Sequence, residues 1–414
     1  VFYFAAAMGF AFTADTGFSI ASALKFGFPA VVDSGFATPL WTGMVAIARV
    51  FHLDPLLVAK VLSLFFSCAA ILAAYLVGRE ITGDALISFC VALAFSMQGW
   101  LLQSAPSGSA LPLATVLVLT GLFFILRNEY LIAIIVIGLC SLLFWQGIVL
   151  LLPFAADLWL NSVSKKRALK VGISAVLVYF AVLLPWILYA RFTDLPMVPV
   201  LPPMKELPPV SVSMLILISI LIAMAVAGVL LALARRRAAP GSVPVNGGAV
   251  LFGLVLVAFN PIAHSDLWLP ALPIFLACSF RGVAELLFKI KKVSFLYTVS
   301  VGMCALLLAL SQFDFRENTR PAMYRAQSLL DQNRIAAEWL RMNAPDRATL
   351  CAESPGVLEY YAEREVAQRD EADAPCGEFL VGSQPVVTGY AVAFIAPPGV
   401  GGELHERVAI WRRQ

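Results

Sequence analysis

The chain has 414 residues, 60% of them hydrophobic and only 13% charged, with a net charge of +3, and its mean hydropathy is +0.86. That is too little charge to cover a soluble protein of this length, so most of the chain must face lipid. In such a chain the placement of the basic residues, not their sum, carries the information.

The first apolar piece, 1–12, is shorter than a membrane span and begins at Val1 rather than Met. We expect it to be the remainder of a first transmembrane helix; a longer upstream reading frame lacking an apolar segment would refute this. A spanning helix needs about 20 apolar residues, and candidates lie near 54–78, 84–102, 110–126, 130–145, 147–163, 171–190, 213–234, 249–263, 267–285 and 294–311. This makes about eleven spans, the first partial. The 130–163 stretch reads as two spans or as one long tilted helix. The basic residues favour two, because one would invert everything after it.

Arg79, Arg127, Lys165, Lys166, Arg167, Lys170, Arg235, Arg236, Arg237, Arg281, Lys289, Lys291 and Lys292 fall on one side of this alternation. Lys25, Arg49, Lys60, Arg191 and Lys205 fall on the other. Thirteen against five marks the first side as cytoplasmic. The segments 13–53, 103–109, 191–212 and 264–266 and the tail from Gln312 are then exoplasmic. Residues 1–311 form the transmembrane domain, with 13–53 as its first exoplasmic loop, and residues 312–414 form a soluble domain.

That tail holds eleven of the 29 basic residues. RIAAEWLRMNAP has helical apolar spacing, while TLCAE, EFLVG, YAVAFIAP and ERVAIWRR read as short strands, together a small α/β domain. Cys68, Cys90, Cys140, Cys278 and Cys304 lie in apolar runs as small hydrophobes. Cys351 and Cys376, in the polar tail, are the candidate disulfide pair. The alternatives are free thiols or a weak metal pair lacking further ligands.

The first exoplasmic loop carries the chemistry-bearing candidates. Asp15 is the acid at the lip of the first span; an acid there costs desolvation energy and is a functional hypothesis by default, with an N-cap as the alternative. Asp33 or Ser34 suits the cap of a helix beginning near Pro39, on which Leu40 and Trp41 would sit at the membrane interface. His52, before LDP, reads as structural. His264 and Asp266, in NPIAHSDLWLPALP, suit phosphate, sugar or cation binding, or a capped helical hairpin. LPMVPVLPPMKELPPV, with Lys205, reads as an extended proline-rich loop. Trp145 suits sugar stacking or the interfacial aromatic belt.

An acid directly after the first span, then Gly35-Phe36-Ala37-Thr38-Pro39-Leu40-Trp41-Thr42 and Leu53-Asp54-Pro55, resembles the GT-C integral-membrane glycosyltransferases. It is most similar to bacterial mannosyl- and arabinofuranosyl-transferase-like members, distant relatives of the protein O-mannosyltransferases and the lipid A aminoarabinose transferase. The tail stretch IAAEWLRMNAPDRATLCAESPGVLEYY resembles the family's Trp-Leu helix, strand and Pro-Gly-aromatic turn. The resemblance implies a mainly α, polytopic transmembrane bundle with a small C-terminal exoplasmic α/β domain, in the inner membrane. It further implies transfer of a sugar from a polyisoprenyl-phosphate donor to an exoplasmic lipid, glycan or protein acceptor, with Asp15 as general base. Lys25, Arg49, Arg191, Lys205 and His264 are the cations available to the leaving phosphate, and Asp266 and Trp145 are further substrate-binding candidates. There is no GxGxxG or Walker pattern and no nucleic-acid partner is expected. The chain departs from the family's pattern where Thr16 follows Asp15 instead of a second acid, where QSAPSGSALPL holds no acid, and where LLFWQGIV replaces a charged signature. No metal ligands are assigned, and a divalent cation stays open. The competing readings are a membrane transporter or flippase, marked by repeats and broken helices, a polymerase or ligase of surface polysaccharide, marked by a large mid-chain exoplasmic loop, and a non-catalytic binder of lipid-linked glycan.

Overall fold

The computed structural model describes residues 39–152, 154–155, 158, 165–192, 268–287, 293–314, 316–317, 320–352, 355–364, 366–368, 377–382, 390–397 and 408–413. The first helices are α1 (Pro39–Val50), α2 (Pro55–Thr82), α3 (Ala85–Ser96) and the short α4 (Gly99–Ser104). They are followed by α5 (Leu111–Leu126), α6 (Tyr130–Leu143), a 3₁₀ helix at Trp145–Leu150, α7 (Lys165–Phe192), α8 (Trp268–Leu287) and α9 (Val293–Asp314). Among the described residues, two helices, Pro55–Thr82 and Ala168–Leu188, are long and apolar enough to cross a membrane alone; α3, α5 and α6 are shorter apolar helices. The expected span 84–102 is broken at Met97 and Gln98 into α3 and α4. The stretch from 130 does split after Leu143, where Phe144 turns extended at φ −155° and ψ 137°.

α2 is central, packing on α1, α3, α5 and α8. Its buried stripe is made of small residues, among them Ala59, Ser63, Ser67, Ala70, Ala74 and Gly78. In lipid, helices gain little from hiding one apolar face from another, so close backbone approach and van der Waals contact hold them together. A methyl group on Gly78 would lie 3.4 Å from Ser88 Cα. The large apolar side chains point the other way: Leu57, Val61, Phe65 and Leu72 of α2 and Leu177 and Phe180 of α7 are all more than half exposed. An apolar exterior around a small-residue interior is what a lipid solvent selects.

Contacts between distant segments define two ends of the bundle. At one end Arg281 Nη1 donates to Thr82 O (3.0 Å), Tyr297 OH donates to Asp84 Oδ2 (2.9 Å), and Arg127 pairs with Glu80 (3.2 Å). At the other, Ser63 Oγ donates to Ser104 O (2.8 Å) and Gln98 Nε2 to Ser311 Oγ (2.9 Å). α6 and α7 run in the same direction, since Tyr130 and Leu131 at the start of α6 line one cleft with Lys170 and Val171, while Gly138 further along faces Val182. Arg79, Arg127 and Arg281 therefore gather at the first end, while Lys60 and Arg191 belong to the second.

The tail comprises α10 (Arg320–Asn343), β1 (Leu350–Ala352), α11 (Pro355–Ala362), β2 (Val366–Gln368), β3 (Phe379–Gly382), β4 (Tyr390–Ile395) and β5 (Ala409–Arg413). The sheet order is β2-β1-β3-β5-β4, parallel for β2-β1-β3 and antiparallel for β3-β5-β4. The expected helix starts earlier than RIAAEWLRMNAP, at Arg320. The expected Pro-Gly-aromatic turn is instead the start of α11, where Pro355 occupies the first helical turn without needing an N–H. α10 covers the sheet through Trp339, stacked on Phe394 at 5.5 Å and edge-on to Phe379 at 6.5 Å. Arg364 ties the end of α10 to α11 by donating to Pro345 O (2.8 Å) and Ala344 O (3.0 Å).

Candidate functional site at the start of α2

The tail meets the bundle at the residues that open α2. Asp54, extended at φ −66° and ψ 119°, is the N-cap: its Oδ1 accepts from Leu56 N at 2.9 Å, and Pro55 follows as the first helical residue. Tyr360 OH, from α11, donates to the same carboxylate, 2.9 Å from Oδ1 and 2.8 Å from Oδ2. Around this contact Leu56 packs with Leu330, Val357 and Tyr360. Burial first, then the hydrogen bond and charge of Asp54, push the Tyr360 phenol above its ordinary range. It stays protonated and a donor at any physiological pH.

Lys60 lies further along α2 and is half-buried. Its stem rests on the segment joining α4 to α5, with Gly108 close to Lys60 Cγ and to Ala59. Gly108 adopts φ +68°, a left-handed conformation that glycine takes at no steric cost. The turn is locked by serines: Ser107 Oγ donates to Ser104 O (2.7 Å) and is itself in contact with Ser109 Oγ (2.8 Å). All three serines are buried, so QSAPSGSALPL is a packed turn clamped to α2. Asp54 is close enough to Lys60 to act on it electrostatically. Among the described residues, however, no ion pair to Lys60 forms.

Of the residues singled out in the sequence, Asp15, Lys25, Lys205, His264 and Asp266 lie outside the described residues, as do Asp33 and Ser34. Arg49 lies in α1 and Trp145 opens the 3₁₀ turn after α6. Arg191 is exposed in the last turn of α7. His52 takes a left-handed φ of 54° in the turn from α1 to α2. Trp41 is a correction: it is not at the interface but fully buried, edge-on to Phe66 at 6.5 Å. α1 packs on both α2 and α6, which places that face inside the bundle. Cys351 is disulfide-bonded, and its expected partner Cys376 lies outside the described residues. Cys68, Cys90, Cys140, Cys278 and Cys304 are free thiols, all but Cys68 buried. Among the described residues no three His, Cys, Asp or Glu side chains converge as a metal site.

Two members of this cluster were not legible as such. Lys60 carried a signal, a cation within an apolar span. Tyr360 carried none, being 306 residues from Asp54.

No family model and no curated protein matches the sequence. Solved structures do match in fold. ArnT from Cupriavidus metallidurans in the apo state has a TM-score of 0.58 at 13% identity, covering 99% of this chain and 97% of that one. The same protein bound to undecaprenyl phosphate gives 0.54 at the same identity and coverage. The archaeal oligosaccharyltransferase AglB from Archaeoglobus fulgidus, in complex with an inhibitory peptide and a dolichol-phosphate, gives 0.58 at 13% identity, covering 87% of this chain and 61% of that one. These likenesses extend from the bundle into the tail, and the chain has the fold of the GT-C membrane glycosyltransferases.

Proposed function

We propose that the protein is an integral-membrane glycosyltransferase that moves a hexosyl or pentosyl group from a polyisoprenyl-phosphate donor to an exoplasmic lipid, glycan or protein acceptor. The observation that carries this reading is the fold correspondence, over nearly the whole of both chains, with ArnT, a protein captured with undecaprenyl phosphate. The clustering of Arg79, Arg127 and Arg281 at one end of the bundle supports that end as cytoplasmic. The end that carries Asp54, Lys60 and the tail is then exoplasmic, in the inner membrane of a bacterial envelope.

Asp15 is the general base of this reading. Its carboxylate takes the proton of the acceptor hydroxyl as the acceptor oxygen bonds to the anomeric carbon; the bond from that carbon to the phosphate oxygen breaks, and the lipid phosphate leaves with the electron pair. Cations on the exoplasmic rim stabilise the charge gathering on the phosphate. Lys25, Arg49, Arg191, Lys205 and His264 are the candidates, with Asp266 and Trp145 on the sugar side. A lipid-borne donor arrives sideways through the bilayer and needs no nucleotide-binding loop.

The test is transfer from radiolabelled polyprenyl-phosphate sugars to membrane acceptors by purified protein. Asp15→Ala should lower transfer by at least about a hundredfold, the usual worth of a general base. Equal activity in mutant and wild type removes Asp15 from the role. Absence of transfer with every donor favours a transporter or a non-catalytic binder of lipid-linked glycan.

A further inference from the structure

Three side chains from two domains meet at the start of α2, and their hydrogen bonds are unevenly shared. The Asp54 carboxylate is held by the Leu56 N–H at 2.9 Å and by the Tyr360 hydroxyl at 2.9 and 2.8 Å. Lys60, the nearby cation, feels the charge of Asp54 but makes no ion pair with it. Six residues separate the two along α2, a rise of about 9 Å. A lysine on a helix leans its stem towards the helix N-terminus, which directs the Lys60 ammonium to the end of the bundle where Asp54 and the tail sit.

We propose that Tyr360 is a positioning residue for donor binding: by holding the Asp54 carboxylate at the cap of α2, it leaves the Lys60 ammonium free to meet the phosphate of a polyprenyl-phosphate lipid. The inference rests on the donor class proposed above. Its physical basis is competition for one cation. A carboxylate and a phosphate monoester both bind an ammonium through charge-assisted hydrogen bonds, and at the edge of the bilayer, where water is scarce, such attractions are stronger than in bulk solvent. A carboxylate released from Tyr360 would turn to Lys60 and shield it. The tail thereby governs the charge offered to the donor. Tyr360 is delivered by α11 and fixed by the apolar contact of Leu56, Leu330 and Val357, so the carboxylate is held wherever the tail is docked. The stem of Lys60 likewise lies beside Gly108.

The test uses the full chain in lipid nanodiscs, titrated with undecaprenyl phosphate, undecaprenol and inorganic phosphate. Wild type should prefer undecaprenyl phosphate to both others. Lys60→Gln should abolish that preference, and Lys60→Arg should keep it. Tyr360→Phe should weaken undecaprenyl phosphate about tenfold, the worth of one charge-assisted contact. The double variant Tyr360→Phe with Asp54→Asn should restore binding to within about twofold, because asparagine still caps the helix but carries no charge to compete. In transfer assays Tyr360→Phe should raise the donor KM and leave kcat unchanged, which a general loss of structure would not do. Where Tyr360→Phe does not fold, Asp54→Asn alone decides: binding as tight as wild type or tighter supports the proposal, and weaker binding overturns it. Unchanged binding in Tyr360→Phe, or a double variant that stays weak, overturns the role of Tyr360 while the donor class stands. A wild type that does not distinguish undecaprenyl phosphate from undecaprenol, or that binds inorganic phosphate equally well, overturns both.

Discussion

Gly147 offers the most direct test of how the turn after α6 is built. It lies in the 3₁₀ helix Trp145–Leu150, and its N–H donates to Phe144 O at 3.0 Å. A Cβ there would stand 2.8 Å from Ser141 N, 2.9 Å from the Cys140 carbonyl carbon and 3.0 Å from Ser141 Cα. All three are backbone atoms of the last turn of α6, so no rotamer change relieves the contact. The turn must lift off the helix by several tenths of an ångström, and overpacking of this kind costs about 1–3 kcal/mol. Gly302 in α9 and Gly43 in α1 are the controls, because a Cβ at either meets nothing within 4 Å. Alanine in place of glycine within a helix stabilises by about 0.5–1 kcal/mol. Gly147→Ala and Gly302→Ala should therefore differ in stability by about 1.5–4 kcal/mol and with opposite signs. Thermal unfolding in detergent, followed by a thiol-reactive dye that reports exposure of buried Cys140 and Cys278, reads the difference. A Gly147→Ala protein that melts at or above Gly302→Ala would refute the close packing of this turn on α6.

Two further outcomes are expected. Ser311→Ala removes the acceptor that Gln98 Nε2 uses at 2.9 Å, leaving the bond to Ala94 O at 3.0 Å, and should destabilise by about 1 kcal/mol. Gln98→Leu combined with Ser311→Ala should be near neutral, because Gln98 Oε1 is already buried without a partner among the described residues and leucine removes that group; a double variant worse than Ser311→Ala in the same melts would contradict this. Breaking the disulfide of Cys351 by Cys351→Ser should destabilise the tail by about 3 kcal/mol, the value for a closed loop of this order of length, with a new thiol at Cys376 that maleimide labels. A labelling pattern unchanged from wild type would show that Cys376 is not the partner.

Much of the bundle was legible because local rules decide it. The apolar run taken to begin at 54 announces a span, and α2 begins at Pro55; the run taken to close at 126 stops before Arg127, and α5 ends there. The strands of the tail were visible in their apolar runs, apart from β2, whose Val366–Gln368 lies inside the charged stretch EREVAQRD. The break at Gln98 was not visible, because a single polar residue in an apolar run reads as tolerated; its bond to Ser311 on α9 shows what holds it. Trp41 was misplaced for a related reason. Tryptophan near a membrane surface favours the interface in general, but here Phe66 of α2 and the packing of α1 on α6 enclose it.

The sequence by itself determined the apolar exterior of this protein, the start of α2 and the end of α5, because hydropathy and charge act residue by residue. Only the tertiary structure decided that the serine turn after α4 clamps α2, that Lys60 stands beside it without an ion pair among the described residues, and that Tyr360 reaches back 306 residues to hold Asp54. Such pairings depend on how two packed surfaces meet. A one-dimensional pattern records the chemistry of each partner but not the partner it will find.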